Sequence, residues 1–237
     1  FTRDNLTFVI VTFKSKKVIY DCLNSLPKYY HKLIIENSSD NELKKELEQN
    51  YDKTEVVLSN NIGMCAGSNL GIIKSNTQYV YVLNPDVVLE KNSMNEIFTI
   101  SKEIDDFAII APISDKKEYP NYILKKDHNF DSVKPFQVKS VDGFAMLLNV
   151  KKINQIYDFK NFKFFDENIF LYLENDDFCK RLVDHNEEIY VVPKSKINHL
   201  GGKAVSKKFS EEVELSRNWH WILSLIHISE PTRLTSI

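Results

Sequence analysis

Cysteine, glycine and proline are all scarce in this chain of 237 residues. Its cysteines, Cys22, Cys65 and Cys179, are far apart and form no CxxC pair, so neither a disulfide scaffold nor a cysteine zinc site is indicated. We expect such cysteines in a reducing cytosol. Six glycines and seven prolines are too few for a collagen-like, low-complexity or linker-dominated architecture.

The chain also lacks an excess of charge and long apolar runs. Its 31 Lys and Arg residues nearly balance 33 Asp and Glu residues, which leaves a net charge of -2 and gives no global reason to expect nucleic-acid binding. A charged leader followed by an apolar stretch is missing, as is any run of about 18 apolar residues. The sequence therefore predicts neither export nor membrane spanning, and it leaves peripheral contact with a membrane open.

What remains is the composition of an ordinary globular domain, with 43% hydrophobic and 27% charged residues. We expect one domain over residues 1–224. Residues 226–233 fit no element and resemble translated adapter or vector sequence, so residues 225–237 are treated as a non-native tail.

Strand and helix signals alternate through the first half of the chain. Apolar, β-branched runs predict strands at 6–12, 32–36, 55–58 and 79–83, and helical spacing predicts helices between them, the third beginning near Ala66. This order predicts an α/β fold with a mainly parallel central sheet and helices on both faces. Ligands of such sheets bind beyond the carboxyl ends of the strands, where Thr12, Glu36, Asn37 and Asn84 fall.

In the second half of the chain, the alternation of strand and helix signals is less regular. The polar region 114–135 is predicted as a loop or hairpin. The remaining predictions are helices at 93–104, 174–185 and 210–221 and strands at 107–111, 141–148, 189–192 and 196–199.

Three short stretches carry candidate chemistry. Asn84-Pro85-Asp86 follows a hydrophobic strand, where a carboxylate can hold Mg²⁺ or Mn²⁺ against a diphosphate or can simply cap a turn. Residues 61–71 place three glycines and two asparagines around a loop entering a helix, which suits either close approach to a ligand or close packing. Residues 165–177 crowd carboxylates at a helix start, as a general base requires and as ordinary helix N-termini also show.

In this order, the stretches resemble the inverting family 2 glycosyltransferases of GT-A fold, particularly their bacterial rhamnosyltransferase-like branch. The resemblance covers about residues 6–221 and includes Asp142-Gly143 and His199 before Gly201-Gly202. It implies that Thr12, Glu36 and Asn37 contact the donor base, that Asn61, Gly63 and Asn69 line the nucleotide-sugar pocket, and that Asp86 binds metal. Asn84, at the end of its strand, is counted with the donor side. His199 is a second metal candidate, because a neutral imidazole can ligate metal or donate to a diphosphate.

One residue departs from the family pattern. The resemblance implies Glu-Asp at the start of the acidic helix, with the second residue as base, but here Asn175 follows Glu174 and an amide cannot accept a proton. The prediction is that Asp176 or Asp177 acts instead, ahead of Glu174.

The implied activity is metal-dependent transfer of a hexose, with inversion, from a UDP- or dTDP-sugar to a glycan or lipid-linked acceptor. The implied setting is bacterial surface polysaccharide synthesis, in the cytoplasm or at the inner face of the membrane. Two alternatives stay open: a non-catalytic nucleotide-sugar-binding module, favoured by Asn175, and a nucleotidyltransferase, which would need a glycine-rich loop where Lys14-Ser15-Lys16-Lys17 stands.

Overall fold

The computed structural model describes residues 5–104, 106–114, 120–126, 130–156, 164–200 and 210–229, with side chains in the last range described at 215, 218–226 and 228. Strands and helices alternate as the sequence predicts. The strands are β1 (Leu6–Thr12), β2 (His31–Glu36), β3 (Thr54–Leu58), β4 (Tyr79–Leu83), β5 (Val87–Leu89), β6 (Ile109–Ser114), β7 (Tyr122–Leu124), β8 (Phe136–Val141), β9 (Ala145–Asn149) and β10 (Ile189–His199). The helices are α1 (Lys16–Ser25), α2 (Asn41–Asn50), α3 (Gly63–Ser75), α4 (Ser93–Glu103), α5 (Val150–Ile153), α6 (Glu174–Asp184) and α7 (Ser210–Ser229).

Parallel pairing builds one half of the sheet, in the strand order β3-β2-β1-β4. Thr12 pairs in register with Glu36, and Ile10 pairs with Leu83, the last residue of β4. The carboxyl ends of three strands therefore meet at one edge. This confirms the α/β prediction and places the polar residues after these strands side by side.

The other half of the sheet is mixed. Strand β9 lies between β4 and β6 and runs antiparallel to both, while β10 is parallel to β6 and antiparallel to β5 and β8. The parallel character predicted for the whole sheet thus belongs to its first half. The antiparallel pairing of β5 with β10 sets His199 opposite Val87, directly after Asp86.

Two hydrophobic cores cover the two faces of the sheet. Alternate residues of β1 serve different faces, since Val9 and Val11 join one core and Phe8 and Ile10 the other. Helices α3, α5 and α6 contribute to the first core, and α1, α2 and α4 to the second. Helices on both faces are therefore confirmed.

Several predicted boundaries differ from the structure, among them the strand predicted at 107–111, which is β6 at Ile109–Ser114. The strand predicted at 141–148 is interrupted at 142–144, and the strands predicted at 189–192 and 196–199 are one strand with an irregularity between Val192 and Lys196. Helix α3 begins at Gly63, before Ala66. Helix α7 continues to Ser229, so part of the tail set aside in the sequence is helical.

Candidate functional site

A cleft of about 340 Å³ opens beyond the carboxyl ends of β1 and β4. Its lining residues are Val11, Phe13, Ser15, Asn37, Asn61, Gly63, Met64, Asn84, Pro85, Asp86, Phe170, Leu171 and His220. Five of the residues predicted from the sequence are in this group: Asn37, Asn61, Gly63, Asn84 and Asp86. A second depression of about 380 Å³, around Asn76 and Thr77, has no carboxylate in its lining.

Asp86 and His199 meet beside the cleft. The imidazole Nε2 of His199 lies 3.3 Å from Oδ1 of Asp86, and the backbone N–H of Leu200 donates to the Asp86 carbonyl at 3.1 Å. The ring of Phe144 packs against the imidazole with ring centres 4.2 Å apart. Gly201-Gly202, which follow in the sequence pattern, lie outside the described residues.

This pair fits a divalent cation whose shell is completed by the substrate. Within the described part of the chain, no group of three or more His, Cys, Asp or Glu side chains could hold a metal. One carboxylate and one imidazole do not make a closed protein cage. They suit Mn²⁺ or Mg²⁺ in a site that takes further oxygen ligands from phosphate and water.

The start of α3 forms one wall of the cleft. Gly63 has a φ of +85°, and a side chain there would come within 2.7 Å of the Phe170 carbonyl oxygen. The backbone N–H of Met64 donates to that carbonyl at 2.9 Å, and the Phe170 ring stacks on His220 at 4.8 Å. Glycine is therefore required here because the chain at Phe170 packs directly on the helix start.

Asn37 brings an unpaired acceptor to the cleft. Its side chain is 2% exposed, and its Nδ2 donates to the Gly63 carbonyl at 3.0 Å. Its Oδ1 is buried and has no hydrogen-bond partner within the described residues. Because a buried acceptor without a partner is costly, this oxygen is suited to a hydrogen bond from a bound ligand.

Two other predicted donor residues, Glu36 and Thr12, have protein partners. The carboxylate of Glu36 accepts hydrogen bonds from the backbone N–H groups of Ser38 and Asp40 and from the Ser38 hydroxyl. Thr12 is buried, and its hydroxyl lies 3.5 Å from the Ile35 carbonyl. The structure thus brings Glu36 and Thr12 to the correct sheet edge and uses the Glu36 side chain to close the turn after β2.

Asn69 has a different place from the one predicted. Its Oδ1 accepts from the backbone N–H of Phe165 at 3.0 Å, and its Nδ2 donates to the Phe165 carbonyl at 2.8 Å and to Glu167 at 2.9 Å. It is not among the residues that line the cleft. Its amide therefore fastens the segment before α6 to α3.

The acidic cluster begins with Glu174, the first residue of α6. Its Oε2 is buried and has no hydrogen-bond partner among the described residues. Burial raises the pKa of Glu174 to about 6, and the carboxylates of Asp176 and Asp142 add to this effect. Backbone hydrogen bonds from Glu174 itself and from Tyr172 oppose the rise. A carboxylate with a free buried oxygen and a raised pKa is a suitable proton acceptor.

The two aspartates favoured from the sequence have other partners. Asp176 accepts a hydrogen bond from the Ser140 hydroxyl at 2.7 Å. Asp177 binds the guanidinium of Arg181 one turn later, at 2.7 Å from both Nε and Nη2. The Asp176 carboxylate thus attaches α6 to β8, and the Asp177 carboxylate forms an ion pair within α6.

The sequence predicts no role for Asp142 or for His220. Asp142 lies in the turn between β8 and β9, where partial burial of its carboxyl group and then the Asp176 carboxylate raise its pKa, and His199 opposes the rise. His220 reaches the cleft from α7 through its contact with Phe170. The Asp142-Gly143 pair belongs to the family resemblance but carries no predicted role for Asp142, and no local signal marks His220, because its place at the cleft depends on the packing of α7.

The family model for glycosyl transferase family 2 matches residues 7–178. This chain belongs to that family. The match includes nearly all of β1, the loop and helix start at residues 61–71, Asp86 and the first turn of α6. Family membership confirms the resemblance found in the sequence, and it leaves the nucleotidyltransferase alternative without support.

The chain spans 43–65% of the length of the three similar proteins named here. It is 27% identical over 210 residues to the low-salt glycan biosynthesis hexosyltransferase Agl10 of Haloferax volcanii. The matched region covers 78% of this chain and 64% of the relative. The fold is similar to that of GalNAc-T7, crystallised with UDP, GalNAc and Mn²⁺, with a TM-score of 0.65 and 12% identity over 82% of this chain and 43% of that one. It is also similar to S. aureus TarS 1-349 in complex with UDP-GlcNAc, with a TM-score of 0.59 and 17% identity over 89% of this chain and 65% of that one. At these identities the solved structures show the GT-A fold.

Proposed function

We propose that the protein transfers a hexose from a nucleotide-diphosphate donor to a hydroxyl acceptor, with inversion at the sugar carbon. The observation that carries this proposal is the convergence of Asp86 and His199 at the edge of a cleft that also contains Asn37 and the start of α3. Membership of glycosyl transferase family 2 and the hexosyltransferase relative support the reaction class.

The donor is a UDP- or dTDP-sugar in this proposal. TarS and GalNAc-T7 were crystallised with UDP or a UDP-sugar, which supports a nucleotide sugar as ligand of this cleft. The free Oδ1 of Asn37 would accept a hydrogen bond from the nucleotide, next to Asn61, Gly63 and Asn84. The donor contacts predicted for Thr12, Glu36 and Asn69 receive less support, because Glu36 and Asn69 already bond within the protein.

Asp86 and His199 are the proposed ligands of Mn²⁺ or Mg²⁺. The Mn²⁺ in the GalNAc-T7 crystals supports a divalent cation in this fold. Such a cation supplies positive charge beside the leaving diphosphate. The protein's own part is to hold one carboxylate oxygen and one imidazole nitrogen on the same side of the cleft.

Glu174 is the proposed base. The acceptor hydroxyl gives its proton to the Glu174 carboxylate while its oxygen forms a bond to the sugar carbon on the side opposite the diphosphate. The bond from this carbon to the phosphate oxygen breaks, and the nucleoside diphosphate leaves with the electron pair. One displacement of this kind inverts the configuration. Asp176 and Asp177 are the alternatives, and their bonds to Ser140 and Arg181 make them less suitable.

A glycan or lipid-linked intermediate of surface polysaccharide synthesis is the proposed acceptor, at the cytoplasmic face of the membrane. Among the described residues, no helix combines the length and apolar character needed to cross a bilayer. Helix α7 exposes Leu215, Trp219 and Ile222 at 71%, 62% and 50%, at a spacing that puts them on one side of the helix. An apolar stripe containing tryptophan supports peripheral membrane contact.

Thermal unfolding with a panel of UDP- and dTDP-hexoses, with and without Mn²⁺, tests the donor and the metal together. A ligand at about 100 times its dissociation constant adds about 2.7 kcal/mol to the free energy of unfolding. At this chain length the midpoint should rise by roughly 5–10 °C. Release of the nucleoside diphosphate, UDP or dTDP, from the stabilising donor then measures turnover. Binding without any turnover would favour the non-catalytic module, and no stabilisation by any nucleotide sugar would contradict the proposed function.

A further inference from the structure

Asn175 connects the start of α6 to the end of β8. Its Nδ2 donates a hydrogen bond to the Val141 carbonyl at 3.0 Å. Val141 is the last residue of β8 and precedes the turn 142–144. The same turn is held by the Asp142 N–H, which donates to the Asn121 carbonyl, and by the Phe144 carbonyl, which accepts from the Asn84 N–H. The bond from Asn175 attaches the start of this turn to the helix that carries Glu174, beside the bond that the Ser140 hydroxyl donates to Asp176 of the same helix.

The turn packs directly on the first two residues of α6. A methyl group placed on Gly143 would lie 3.3 Å from both Cβ of Asn175 and Oε1 of Glu174. Such contacts would be tighter than ordinary van der Waals separation, so the turn at Gly143 lies close against both residues. The position of the turn and the position of the Glu174 carboxylate therefore depend on each other.

The backbone before Glu174 needs such support. Tyr172 and Leu173 have φ values of 67° and 64°, in the left-handed region that side chains other than glycine rarely adopt. Strained backbone of this kind persists only where its surroundings hold it in place. The hydrogen bond from Asn175 to Val141, directly after Glu174, helps to hold the chain that follows Tyr172 and Leu173 in place.

Only a donor can fill the place of Asn175 in this arrangement. An amide NH₂ donates to a carbonyl oxygen, whereas an ionised aspartate at the same position would present oxygen to oxygen. The amide that departs from the family pattern thus has a specific partner in this chain.

We propose that Asn175 is a positioning residue, whose amide holds the turn 142–144 against α6 and so fixes the Glu174 carboxylate in its place for catalysis. The inference rests on the proposed function, in which Glu174 is the base. It gives a structural role to the position at which the resemblance implies an acidic base.

The test compares Asn175→Asp and Asn175→Ala with Asn95→Asp, a matched control. Asn95 is exposed in the first turn of α4, so its replacement makes the same charge change at a similar helix position. The probe is the stabilising donor from the UDP- and dTDP-hexose panel, and the readout is release of its nucleoside diphosphate. Both Asn175 variants should lower kcat about tenfold, the ratio that corresponds to one lost hydrogen bond, with donor KM unchanged. Asn95→Asp should keep the rate of the unmodified protein.

Hydrogen exchange of the same variants gives a second readout that does not need turnover. The amides of residues 142–144 should exchange faster in Asn175→Asp and Asn175→Ala than in Asn95→Asp, because the attachment to α6 is lost. Unchanged exchange of these amides would overturn the inference, as would a faster reaction of Asn175→Asp than of the unmodified protein. A Glu174→Gln variant that keeps its full rate would contradict the proposed base instead, and exchange at 142–144 would still decide the role of Asn175.

Discussion

Replacing Glu174 by Gln should make the protein more stable and remove its activity. Burial raises the pKa of Glu174 from its ordinary value of 4.5 to about 6. A carboxyl group with a raised pKa in the folded state stabilises the fold at pH values below its unfolded pKa, and this contribution is lost as the pH rises through the folded pKa. Above about pH 6, the ionised form of Glu174 is therefore a cost to folding.

The size of this cost follows from the two pKa values. The difference between 4.5 and about 6 corresponds to about 2 kcal/mol, at about 1.36 kcal/mol for each pH unit. Gln is neutral at every pH and similar in shape. Glu174→Gln should therefore raise the free energy of unfolding by up to about 2 kcal/mol near pH 8, with little gain near pH 4, as measured by urea denaturation.

Transfer should change in the opposite direction. Loss of a general base typically lowers the rate by about 10² to 10⁴, so kcat of Glu174→Gln should fall by that factor. UDP affinity should stay the same, because Glu174 does not line the cleft. In the unmodified protein, kcat should rise with pH through about 6 and be about tenfold below its plateau near pH 5.

Glu42→Gln is the matched control for stability. Glu42 is exposed in the first turn of α2, where its charge favours the helix, so its loss should destabilise the fold by about 0.3–1 kcal/mol. If Glu174→Gln is destabilised like this control, burial does not raise the pKa of Glu174 as argued. A variant that keeps full kcat would remove Glu174 from the chemistry.

Three further changes test other parts of the structure. Asp86→Ala should abolish the Mn²⁺ dependence of UDP binding in calorimetric titrations with EDTA controls, and a persisting dependence would exclude Asp86 as a ligand. Asn69→Ala should lower the free energy of unfolding by about 1–3 kcal/mol in urea, since it leaves the buried backbone of Phe165 unpaired, while UDP affinity stays constant; weaker UDP binding would restore its predicted donor role. Tyr81→Phe should raise the free energy of unfolding by about 1 kcal/mol, because its buried hydroxyl has no partner among the described residues, and a lower value would contradict this.

The first half of the fold could be predicted because its signals are local. Strands β1 to β4 are short apolar runs separated by polar turns, and the parallel order follows from the helices between them. The carboxyl ends of these strands then had to share an edge, which correctly placed Asn37, Asn84 and Asp86 around one cleft.

The second half could not be predicted in the same way. Strand β9 inserts between β4 and β6, and β10 contacts three different strands, so these pairings join residues far apart in sequence. Pro193 and the polar residues after it resemble a loop, although one strand runs through them to His199. The pairing of β10 with β5 places His199 beside Asp86, and no local pattern specifies that pairing.

Residue type also failed to separate binding groups from structural ones. Asn37 and Asn69 are both asparagines at the predicted donor edge, and both are nearly buried. The two oxygens differ in their partners, since Oδ1 of Asn69 accepts from the Phe165 backbone and Oδ1 of Asn37 accepts from none of the described residues. Which amide remains available to a ligand depends on the segment 164–170, whose packing on α3 the sequence does not reveal.

The same reasoning decides among the three carboxylates of α6. The sequence prediction favoured Asp176 and Asp177, which follow the position that the resemblance assigns to the base, although Glu174 is as near to that position as Asp176. A helix turns by about 100° for each residue, so neighbouring side chains meet different elements. Asp176 meets Ser140 of β8, Asp177 meets Arg181 one turn further along, and Glu174 alone of the three has an oxygen that is buried and unpaired among the described residues. A proton acceptor needs a free lone pair, and this requirement favours Glu174 over Asp176 and Asp177.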